Sequence, residues 1–262
     1  MIHHILIAHD LSREADVALQ RAAFLAKQTG AQLSLLHVLD ENTGIDEVEH
    51  VRGSLQRRLD LIGLESQLWL RKGEVVEELL TQASGLEADL LVVGRHHSQH
   101  RQGFAGTTLE RILLACPMPL LLAVTPLAPY HHALAALDYS RCASRALQSA
   151  WQLLPATAEL TALYVHEVAE VHGSDDDEQA LQQALFNQLV DDLRAGLSES
   201  ARVTAKVRHG ERANCLDAAI GEERPDLLAL GGHSRGEISS TLLGSLTREY
   251  LDHPPCDVLI AH

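Results

Sequence analysis

The chain has 262 residues, 46% apolar and only 3% aromatic, with a formal net charge of −15. A core is available, but it must be built from Leu, Ala and Val, as suits helices lying on a buried parallel sheet; the length allows one large domain or two ordinary ones. The acidic balance repels nucleic-acid phosphates and anionic lipid headgroups, which excludes a nucleic-acid or membrane-surface role.

The first predicted strand lies near 3–9 and carries Ile5-Leu6-Ile7-Ala8. It lacks the cationic start and long apolar core of a signal peptide. No apolar stretch is long enough to span a bilayer, so the cytoplasm is the expected compartment. Asp10 ends the strand, and Ser12 stands where an N-cap hydroxyl would satisfy free helix N–H groups. The following helix shows one apolar face: Ala15, Ala18, Leu19, Ala22, Leu25 and Ala26. Further strands are expected near 32–38, 66–71, 89–93 and 119–124, each preceded by a helix. Gly94 ends the fourth strand, Gly106-Thr107 opens the last helix, and Thr125 to Pro129, with two prolines, reads as a linker.

The pattern then starts again. Leu6, Ala8, Asp10 and Ser12 return 128 positions later as Leu134, Ala136, Asp138 and Ser140. The helix repeats in register through Ala143, Ala146, Leu147, Ala150, Leu153 and Leu154. Gly73-Glu74 returns as Gly210-Glu211, and Asp89 to Gly94 as Asp226 to Gly231, now at an offset of 137. About ten residues are therefore gained, around 171–183; the acidic run Asp175 to Glu178 within them reads as a solvated loop or helix start. The second strands are expected near 132–137, 159–165, 202–208, 226–230 and 256–261. Strict alternation predicts an α/β chain of two tandem doubly wound, five-stranded parallel-sheet domains, 1–126 and 130–262.

In such sheets ligands bind beyond the C-terminal strand ends. Each copy places three features there: Asp10 or Asp138 after strand one, Gly94 or Gly231 after strand four, and Gly106-Thr107 or Gly244-Ser245 opening the last helix. A helix N-terminus, close backbone approach at glycine and an added hydroxyl suit a phosphate, and a strand-tip carboxylate suits a ribose or an adenine amino group. The plainer reading also stands: the aspartates equally suit turn residues accepting backbone N–H bonds, and the glycines equally suit positions that only turn the chain.

These residues resemble the universal stress protein family across both halves, as a tandem member. Ile5 to Ser12 is similar to the family's Asp-x-Ser signature, and Leu36-His37-Val38 to its strand-two ending. The resemblance implies an adenine-nucleotide α-hydrolase-like fold whose pseudo-two-fold halves pair through their last strands, Leu120-Leu121-Leu122 and Val258-Leu259-Ile260, and leaves open a homodimer of chains. It also implies ATP, with or without Mg, and action through protein partners. The implied nucleotide residues are Asp138, Val165, Gly231, Ser234, Gly244 and Ser245 in the second half, and Asp10, Val38, Gly94, Gly106 and Thr107 in the first. The family's Gly-x2-Gly-x9-Gly-Ser/Thr pattern is imperfect in both. The second copy has Ser234 for the middle glycine; the first has His97 there, and its loop is a residue short and carries the bulky Arg95 to Arg101. The second cleft is therefore favoured, and a nucleotide-free scaffold, or a binder of another small ligand, is the alternative.

Four cysteines (Cys116, Cys142, Cys215 and Cys256) form no Cys-x-x-Cys pair and are expected to be buried free thiols. Sixteen histidines include the cluster His96, His97 and His100 and the pairs His3-His4 and His131-His132. Neighbours on a strand face opposite ways, so exposed loop histidines, and no metal site, are expected. No hydrolase elbow, P-loop or adenylyl-transfer loop is present and no lysine follows either glycine loop, so no dedicated enzyme is expected.

Overall fold

The computed structural model describes residues 1–95, 107–125, 128–167, 176–197, 202–232 and 243–262, without the side chains of 176–178. The chain divides into two compact units, Met1–Ala128 and Pro129–His262.

Unit one runs β1 (His4–Ala8), α1 (Arg13–Thr29), β2 (Gln32–Leu39), α2 (Ile45–Ile62), β3 (Ser66–Lys72), α3 (Val75–Gly85), β4 (Leu90–Gly94), α4 (Thr108–Ala115) and β5 (Leu120–Ala123). Its strands lie in the order β3-β2-β1-β4-β5, and every pairing is parallel. Unit two runs β6 (His132–Leu137), α5 (Arg141–Leu153), β7 (Glu159–His166), α6 (Asp176–Ala195), β8 (Arg202–His209), α7 (Arg212–Glu223), β9 (Leu227–Gly231), α8 (Ser245–Asp252) and β10 (Asp257–Ala261). Its order is β8-β7-β6-β9-β10, again parallel throughout. This is the expected α/β architecture.

Burial explains the strand sequences. The central strands bury side chains on both faces, so β4 and β9 are continuous apolar runs, whereas the outer β3 is half-exposed and reads more polar. The helices bury the face legible in the sequence; Ala15, Ala18, Leu19, Ala22, Leu25 and Ala26 all pack inward. The Ser12 and Ser140 hydroxyls accept the Ala15 and Ala143 amides, each at 3.1 Å, so both cap as expected.

The repeated aspartate ahead of the fourth strand has its own reason. Asp89 Oδ2 accepts the His3 and His4 amides at 2.6 and 3.0 Å, and Asp226 Oδ2 accepts those of His131 and His132 at 2.7 and 3.1 Å. Each carboxylate thus fastens the start of the unit's first strand. The paired histidines are correspondingly less open than expected: His4 is buried and shares a 2.9 Å hydrogen bond with Ser34, as His132 does with Thr161. The cysteines are all free, but only Cys116 and Cys256 are buried; Cys142 and Cys215 are half-buried. Burial pushes the Cys256 thiol up to about 12, which makes it inert as a nucleophile.

Candidate functional site

Each sheet reverses its strand order beside its first strand, between β1 and β4 or between β6 and β9. A cleft opens there at the carboxyl ends, where doubly wound sheets take ligands. The cleft of unit one has a volume of about 410 Å³ and that of unit two about 590 Å³.

Asp10, Val38 and Gly94 line the first cleft, and Asp138, Val165, Gly231, Gly244 and Ser245 line the second. The predicted residues of seven separate segments thus converge on two sites, three in the first and four in the second. Gly106 and Ser234 lie outside the described residues, as does the histidine-rich stretch 96–100. Thr107 is the N-cap of α4 and is not part of the lining; its neighbour Thr108 is.

The aspartates do turn work. Asp10 Oδ1 accepts the Ser12 amide at 3.0 Å and the Ser12 hydroxyl, and Asp138 Oδ1 accepts the Ser140 amide at 3.1 Å. Both close the tight passage from first strand to first helix, which carries Leu11 and Tyr139 at φ of 69° and 62°. They therefore fill the turn role and line a cleft at once.

The glycines ending β4 and β9 also have a packing reason. A Cβ on Gly94 would lie 2.5 Å from the Glu14 carbonyl oxygen, and one on Gly231 would lie 2.8 Å from the Ala143 nitrogen. The strand tip touches the first turn of α1 or α5, and no side chain fits between them.

The last helices differ. In α4 the Thr107 hydroxyl accepts the Glu110 amide at 3.2 Å, so the helix caps itself. In α8 the N-cap is Gly244, which offers no side chain, and Ser245 is already the first helical residue. The first turn of α8 faces the second cleft through Ser245, Leu246 and Thr247. It thus lacks a side-chain cap where an anion would be held by free N–H groups.

Sequence reasoning missed several charged and titratable residues that line the clefts or pair with those that do. In unit one, buried His9 places Nε2 3.1 Å from Asp16 Oδ1 and accepts the Leu11 amide on Nδ1 at 3.0 Å; Arg58 Nε donates to the same Asp16 oxygen at 2.6 Å. Burial holds the His9 pKa below the usual histidine value. His37 contacts the His9 carbonyl through Nδ1 at 2.6 Å and lines the cleft. In unit two, Arg212 and Glu167 line the cleft and pair at 2.8 Å. Among the described residues, no group of three His, Cys, Asp or Glu side chains is placed to hold a metal ion.

The family comparison agrees with this plan. The model of the universal stress protein family matches residues 1–47, 44–123 and 129–262. The chain belongs to the universal stress protein family. A universal stress protein from Synechocystis sp. is 24% identical over 98% of this chain and 98% of its own length. A universal stress protein A homolog from Haemophilus ducreyi is 32% identical, covering 42% of this chain and 88% of its own. Among solved structures, a universal stress protein from Archaeoglobus fulgidus superposes with a TM-score of 0.73 at 18% identity, covering 98% of this chain and 97% of that one. The last shows the shared fold. As a universal stress protein the chain is a tandem one, with the family model matching both units. No helix among the described residues is long and apolar enough to cross a membrane.

Proposed function

We propose that this chain is a stress-response regulator that binds an adenine nucleotide, ATP with or without Mg, in the cleft of unit two and signals its occupancy to protein partners. One observation carries the choice of cleft: the first turn of α8 has no side-chain cap and opens on a space of about 590 Å³ with Asp138 and Val165 on its other side. In unit one the corresponding helix is already capped by Thr107. Phosphates would lie at the α8 amides, with the Ser245 hydroxyl as a further donor. Asp138 and the backbone near Val165 would meet the ribose and base. Mg, when present, would neutralise phosphate charge. Four unpaired cysteines suit a reducing compartment such as the cytoplasm.

A second reading has support of its own. Gly94 and Gly231 are accounted for by helix packing alone, so a nucleotide-free scaffold would keep them too. Gly244→Val separates the readings, because a valine at the α8 N-cap crowds the phosphate position. ATP affinity measured by calorimetry should be lost in this variant while its circular dichroism remains that of the folded wild type, with a modestly lower melting temperature from the poorer N-cap. Unchanged affinity in the folded variant would remove the nucleotide from this cleft.

A further inference from the structure

We propose that Arg212 is the residue through which the second cleft reads phosphate charge, and that Glu167 holds it in reserve. The inference rests on the nucleotide reading above and deepens it. Arg212 is the first residue of α7 and lines the cleft, and its Nη2 donates to Glu167 Oε2 at 2.8 Å. Among the described residues it is the lone lysine or arginine lining either cleft. Its position in the repeat, directly after Gly210-Glu211, is occupied in unit one by Val75, which follows Gly73-Glu74 and is an exposed apolar side chain. The two clefts therefore differ in charge at one equivalent rim position.

The α7 amides are not the receptor. Glu211 accepts the Ala213 and Asn214 amides at 3.2 and 2.9 Å, so its carboxylate already occupies that helix start. A polyphosphate at this rim meets the guanidinium fork, whose planar donors match phosphate as well as they match a carboxylate. The partner it must leave holds it weakly: the Arg212 and Glu167 side chains are 41% and 53% exposed, and an ion pair so open to water is easily exchanged. Glu167 thus competes with phosphate for Arg212. A nucleoside, having no phosphate, leaves the pair intact.

Competition gives the two residues opposite signs, which a merely structural pair would not. ATP and adenosine are titrated calorimetrically into the intact chain. Arg212→Ala should lower ATP affinity by about tenfold or more, the scale of a lost charge-assisted hydrogen bond, and leave adenosine affinity unchanged. Glu167→Gln should raise ATP affinity and also leave adenosine unchanged. If both substitutions weaken ATP, or neither changes the ratio of ATP to adenosine affinity, the inference is overturned while the nucleotide site stands. If wild type binds neither ligand, both the nucleotide reading and this inference fall.

Discussion

Gly94 and Gly231 sit where strand tip and helix start come closest, and a methyl group added at either would press on backbone. Backbone cannot swing aside as a side-chain tip can, so Gly94→Ala should cost about 1–3 kcal/mol of overpacking, read as a lower urea midpoint. Gly85, the last residue of α3, has nothing within 4 Å of an added Cβ; Gly85→Ala should be neutral or stabilise by about 0.5–1 kcal/mol. Equal losses at both sites would contradict this account of Gly94. At His9, burial favours the neutral ring over the charged one. The unfolded imidazole takes up a proton near pH 6.5 while the folded one does so only lower, so stability should fall as pH drops through that window. In unit two the corresponding residue is Leu137, equally buried. His9→Leu should therefore flatten the stability-versus-pH curve below pH 6.5, measured by thermal melts; an unchanged slope would assign the acid sensitivity to other histidines.

Elements were legible in the sequence because each obeys one local rule. Buried parallel strands give unbroken apolar runs and helices give one apolar face, so the order and extent of β1 to β10 follow from periodicity. The added length between β7 and β8 also shows: β3 starts 34 residues after β2, and β8 starts 43 residues after β7. Helix starts are subtler. Thr107 and Ser245 occupy the same place in the repeat, but Thr107 caps α4 from outside whereas Ser245 lies inside α8 behind an N-cap glycine. No local pattern encodes that shift of one residue. It yields a direct comparison: Thr107→Ala should destabilise unit one by about 1 kcal/mol as the Glu110 amide loses its acceptor, while Ser245→Ala should leave stability unchanged in the absence of ligand. Matching losses in chemical denaturation would mean that Ser245 caps α8 after all.

For the whole molecule, the repeat delivers two clefts on one plan, and the strand-tip residues that build them could be read from spacing. Arg212 could not, because it reaches the cleft from the start of α7, whose proximity to the strand tips only folding creates; His9, His37 and Glu167 stand one or two residues from Asp10, Val38 and Val165, and spacing alone does not say that they too line the clefts. One signal was available for Arg212: it directly follows the repeated Gly-Glu pair, where the other copy has Val75. The resulting asymmetry sets an open helix start and an arginine in unit two against a self-capped helix and a buried histidine in unit one. The most direct test of that asymmetry is the stoichiometry of ATP binding to nucleotide-free wild-type chain by titration calorimetry. The account predicts one ATP per chain, lost in Gly244→Val; no heat, or binding that Gly244→Val leaves intact, would contradict it.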